Sequence, residues 1–77
     1  MTIAFVLVTT EAKKESTVYG ELVDRFGDDS VYGLFGEYDI LVKFCGDDPE
    51  RMGRRIVDDI RGVDGVLDTK TLMGIRI

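Results

Sequence analysis

The chain contains no histidine. That absence removes the usual general base, the usual zinc ligand and every Ser-His or Cys-His nucleophile pair. Cys45 is the single cysteine, which excludes an internal disulfide, a CxxC redox site and a thiolate zinc cage. It reads as a small core residue rather than a nucleophile. The acidic pairs Asp28-Asp29, Asp47-Asp48 and Asp58-Asp59 lack the regular spacing of an EF-hand loop and read as solvated surface and helix caps. Val8-Thr9-Thr10-Glu11 offers neither the two cysteines of a metal chaperone nor the arginine of an acylphosphatase-like phosphate cradle. Phe5 and Phe44 could stack on bases, but Lys43 is the only basic residue beside them, and 10 basic against 15 acidic residues leave a net charge of −5 that repels nucleic acid. What remains is Gly36-Glu37-Tyr38-Asp39, preceded by Tyr32 and Leu34, and the pair Thr69 and Thr71. On residue type alone, Asp39 is a turn residue, the threonines are good strand formers, and Tyr32 and Phe35 are packing residues. No metal, cofactor or catalytic group is expected, and the chain reads as a non-enzyme.

These residues need elements to hold them. Ile3 to Val8 is a continuous apolar run rich in β-branched and aromatic residues, too short for a buried helix, and reads as a strand apolar on both faces. Val18, Tyr19, Leu22, Val23 and Phe26 recur at helical spacing, up to a stop at Gly27. Gly20 weakens that helix by roughly 1 kcal/mol relative to alanine. Val31–Phe35 and Asp39–Cys45 read as two strands joined by a hairpin at Gly36-Glu37-Tyr38. Asp48 then caps a helix with Pro49 at its first position and Met52, Ile56, Val57 and Ile60 as its buried stripe. A last strand begins near Val66 and runs toward Ile77, with a break near Gly74. The order β-α-β-β-α-β is reinforced by a faint duplication, Gly27-x-Asp29-x-Val31 against Gly62-x-Asp64-x-Val66. Two split β-α-β halves build an α+β, ferredoxin-like sandwich, with a four-stranded antiparallel sheet in the order 4-1-3-2 and both helices on one face. The 77 residues make one domain, 1–77. With no leader-like start and no long apolar run, a cytoplasmic protein is expected.

Two helices cover one face of a sheet, yet the strands do not alternate cleanly. Ile3, Phe5 and Leu7 interleave with Ala4, Val6 and Val8, and Leu41 with Ile40 and Val42. Either parity leaves apolar side chains on the bare face. About five of these, at ~1.5 kcal/mol each, are a large fraction of the 5–15 kcal/mol typical of a domain. A two-fold dimer packing sheet on sheet is the simplest solution, ahead of a monomer with a greasy groove for a lipid or peptide.

The stretch from Val31 to Lys43, with its Gly36-x-x-Asp39 hairpin between apolar strands, resembles the effector-binding (RAM) domain of the Lrp/AsnC family of amino-acid-responsive transcription regulators. Ala4 to Val8, Gly62 to Val66 and the following Thr69-x-Thr71 match it as well, so the resemblance covers essentially the whole chain. Family regulators carry a helix-turn-helix before this domain, whereas here Met1 directly precedes the first strand; a stand-alone form is expected, without direct DNA binding. The resemblance implies a free amino acid bound in clefts where dimers meet within a ring. Asp39 would accept the ammonium group, and backbone N–H groups of the Gly36-Glu37-Tyr38 turn would face the carboxylate. Thr69 and Thr71, two apart on one face of the last strand, would present hydroxyls, with Tyr32, Leu34 and Phe35 shaping the pocket. The expected protein is an amino-acid sensor, a dimer assembled into a ring of four or five, with a full-length Lrp/AsnC regulator as a further partner and no membrane contact. The competing classes are a dimeric ferredoxin-like barrel enzyme of the cofactor-free monooxygenase or isomerase type, and a purely structural oligomeriser.

Overall fold

A computed structural model describes residues 2–75. The elements run β1 (Thr2–Thr10), α1 (Glu15–Phe26), β2 (Val31–Gly33), β3 (Ile40–Gly46), α2 (Pro49–Arg61) and β4 (Val66–Met73). The strands form one antiparallel sheet in the order β2-β3-β1-β4, the expected 4-1-3-2 read from its other edge. The ferredoxin-like βαββαβ arrangement is therefore observed.

Strand alternation assigns the two faces. Ala4, Val6, Val8 and Thr10 are buried on β1, and their register partners Val42 and Ile40 are buried on β3. Helices cover this side. Val18 and Leu22 of α1 and Ile60 of α2 close the core with Val31 and Val63. Met52, Ile56 and Val57 are only half-buried. Tyr19 departs from the expected buried stripe and is 37 % exposed. The i, i+4 pair Val18 and Leu22 occupies the centre of the α1 contact, which leaves Tyr19 at its margin.

The opposite face carries Ile3, Phe5 and Leu7, paired in register with Cys45, Lys43 and Leu41 on one side. On the other side Leu72 lies opposite Phe5 and Lys70 opposite Leu7. Among the described residues, no helix lies over it. Ile3 is 46 % and Leu72 44 % exposed, so the bare face is apolar, as the failed alternation implied. Cys45 also belongs here and is exposed. The expectation that it packs in the core fails because its parity follows Leu41 and Lys43 rather than Val42 and Phe44.

The hairpin is looser than predicted. β2 ends at Gly33, opposite Ile40, and Leu34 N–H donates to the Asp39 carbonyl at 2.9 Å. Leu34, Phe35 and Asp39 thus belong to the loop, because Asp39 is bound to β1 instead of continuing the ladder. The last strand stops at Met73. Gly74 N–H donates to the Ile3 carbonyl at 2.7 Å, and a Cβ on Gly74 would come within 2.9 Å of that oxygen. The strand therefore ends at the expected break, where the backbone lies too close to β1 for a side chain. The expected extension to Ile77 falls partly outside the described residues.

Candidate functional site

Asp39 is the most heavily engaged of the predicted site residues. Its Oδ2 accepts from the Thr10 N–H at 2.8 Å and from the Thr10 hydroxyl at 3.2 Å. Its own N–H donates to the Val8 carbonyl at 3.0 Å. These bonds satisfy Thr10, which is 6 % exposed, and pin the start of β3 to the end of β1. Asp39 thus joins β1 to β3. Yet only Oδ2 is used among the described residues, and the half-buried carboxylate lines a groove of about 470 Å³.

That groove lies between the first turn of α1 and the β2–β3 loop. Glu15, Ser16 and Tyr19 form one wall, and Leu34, Phe35 and Asp39 the other. The helix start matters chemically. Its cap residue Lys14 makes no side-chain cap, and the first amides of any helix lack intrahelical acceptors. The first amides and the positive dipole end of α1 thus belong to the wall that Glu15 and Ser16 form. Beside the groove, Lys14 bridges Asp64 at 3.1 Å and Glu11 at 3.2 Å. The hydrogen bond to Asp64 and then that to Glu11 hold its pKa above the usual 10.5.

The other predicted residues are distributed around this loop and beyond it. Gly36 has φ +124° with nothing within 4 Å of a Cβ, so the turn needs a residue free to adopt positive φ. Glu37 is exposed and Tyr38 half-buried. Tyr32 is on the bare sheet face, in register with Leu41, and its hydroxyl donates to the Asp29 carbonyl at 3.0 Å. Thr69 and Thr71 share the helix-covered face, opposite Val8 and Val6. Thr69 Oγ1 accepts from Arg61 Nε at 3.1 Å, and Thr71 lines a separate groove of about 320 Å³ with Gly53, Val57 and Met73. Val8 pairs with both Ile40 and Thr69, so β1 separates the threonines from the hairpin by two strand spacings, roughly 10 Å. One chain therefore joins Leu34 and Asp39 in one groove and leaves Thr69 and Thr71 outside it. Glu15, Ser16 and Tyr19 were not foreseen as site residues. Their helical period concealed which of them would face the loop.

Among the described residues, no group of three or more metal-ligating side chains comes together, and no helix is long and apolar enough to cross a membrane. No protein-family model matches the chain, and no curated protein matches it. Solved structures do. FFRP-DM1, of the Lrp/AsnC type, is 32% identical, with a TM-score of 0.78, and the match covers 97% of this chain and all of that one. The chain belongs to the Lrp/AsnC family. The Escherichia coli regulator AsnC superposes with a TM-score of 0.76 at 19% identity, over 99% of this chain and 52% of its own. A Neisseria meningitidis transcriptional regulator, solved as a complex with L-Met, superposes at 0.71 with 21% identity, over 97% of this chain and 50% of its own. This Lrp/AsnC-type domain thus spans about half the length of those two regulators.

Proposed function

We propose that this Lrp/AsnC-type domain is an amino-acid-responsive regulatory module acting in the cytoplasm, with residues 1–77 as its ligand-binding unit. A free α-amino acid is a zwitterion, and the α1–loop groove offers a partner to each end. The unused oxygen of Asp39 accepts from the ammonium group, and amides of the first α1 turn and of the Gly36-Glu37-Tyr38 turn donate to the carboxylate. The single observation that carries this reading is the position of Asp39: one oxygen holds Thr10 while the carboxylate lines an apolar-walled groove. The L-Met complex of a regulator with the same fold supports it. Dimers form through the bare sheet face and assemble further, and the ligand acts by binding one assembly better than another. In this role the domain works on transcription through a partner regulator rather than through nucleic acid.

Calorimetry against the twenty amino acids, run alongside light scattering coupled to size exclusion, tests this. Binding by at least one of them with a shift in assembled mass is expected. A folded protein giving no heat with any would remove the sensing role.

A further inference from the structure

We propose that the amino acid preferred by the α1–loop groove carries a cationic side chain, and that Glu15 selects it. The inference rests on the amino-acid-binding reading above and deepens it. The charged residues lining the groove are Glu15 and Asp39, and no lysine or arginine lines it. A neutral amino acid brings one ammonium group and so matches one carboxylate. Asp39 takes that role, because its fixed backbone and its bonds to Thr10 hold it in one place. Glu15 is then left over. Its Oε1 accepts only from the Lys13 N–H, at 3.3 Å. The neighbouring cation, Lys14, is committed to Asp64 and Glu11.

A second carboxylate on the groove wall favours a second positive charge. An apolar side chain would leave the exposed Glu15 without a partner, whereas an acidic one would meet two like charges. The remaining walls suit a long basic side chain. Leu34, Tyr19 and Phe35 line the same groove. Such surfaces pack an aliphatic stem and attract its cationic end. Lysine, arginine and ornithine have this chemistry: two positive groups, one negative, and a methylene chain between.

The test is calorimetry on the intact protein with lysine, arginine, glutamate and norleucine, the last being lysine's stem without its ammonium. Lysine or arginine should bind about two- to fivefold more tightly than norleucine, the scale of an ion pair at an exposed carboxylate, and glutamate should bind more weakly than norleucine. Glu15→Gln should erase the lysine preference, leaving lysine and norleucine with similar affinities, while Asp39→Asn should weaken every amino acid together. Norleucine binding as tightly as lysine, or a lysine preference surviving in Glu15→Gln, overturns the proposal while leaving amino-acid sensing intact. No binding by any amino acid removes both.

Discussion

Asp39 combines two roles that different substitutions separate. Asp39→Ala removes both bonds to Thr10 and should cost about 1–3 kcal/mol by leaving a buried donor unpaired. Asp39→Asn keeps a carbonyl oxygen for Thr10 but loses the charge that faces the groove. We expect it to melt within a few degrees of the wild type while amino-acid affinity falls at least about tenfold; unchanged affinity would make Asp39 structural only. Lys14 gives a prediction of another kind. Its pKa is raised in the folded state by Asp64 and Glu11, so the folded protein holds that proton more tightly than the unfolded chain. The resulting stability is present below about pH 10.5 and is lost as pH climbs through the higher folded value. The melting-temperature gap between the wild type and Lys14→Gln should therefore close in alkaline titration and stay constant near neutrality. At this scale the sequence disclosed Asp39, because a carboxylate after a glycine turn stands out. It did not disclose that Oδ2 would reach Thr10, 29 residues away, since that contact exists only once β1 and β3 pair.

Element by element, periodicity carried most of the fold. The helical recurrences located α1 and α2, and Asp48 caps α2 as its residue type suggested, accepting from the Arg51 N–H at 3.3 Å. The β2 boundary was not legible, since Leu34 and Phe35 have strand-like composition and only the engagement of Asp39 with β1 turns them into loop. Two glycines test the elements in opposite directions. Gly20 lies inside α1 with nothing within 4 Å of a Cβ, so Gly20→Ala should stabilise by about 0.5–1 kcal/mol through helix propensity and a less flexible unfolded chain. Gly65 has φ +102°, and a Cβ there would lie 2.8 Å from Val18 Cγ2 and 3.1 Å from Lys14 Cδ. Its carbonyl also accepts from the Glu11 N–H at 2.8 Å, tying the start of β4 to the β1–α1 connection. Gly65→Ala therefore combines backbone strain with a clash against a core side chain and should destabilise by about 2 kcal/mol or more. Urea denaturation of both variants measures the contrast, and similar midpoints for the two would contradict it.

In the whole molecule, two of the exposed apolar surfaces have different neighbours. The bare sheet face carries Ile3, Phe5, Leu7, Leu41 and Leu72 around Lys43 and Lys70. The loop tip carries Phe35, fully exposed, with Leu34 and Tyr19 beside it, each 37 % exposed. The tip borders the groove on the α1 side, so a contact through it need not involve the sheet face. The two surfaces therefore predict two separable steps of assembly. Phe5 lies in register between Lys43 and Leu72, and Phe5→Lys puts a charge into the apolar centre and opposite a like charge across the strand pair. That variant should fall from the proposed dimer, twice the 8.6 kDa chain mass, to a monomer of lower stability. Phe35 is fully exposed, so Phe35→Ser should leave folding and the proposed dimer intact. It removes up to about 2–3 kcal/mol of apolar burial from any contact the tip makes, so species larger than the dimer should dissociate. Light scattering on the two variants distinguishes the steps. A Phe35→Ser protein that assembles like the wild type would leave the tip with no role in association, and a Phe5→Lys protein that stays dimeric would move the dimer contact off the sheet.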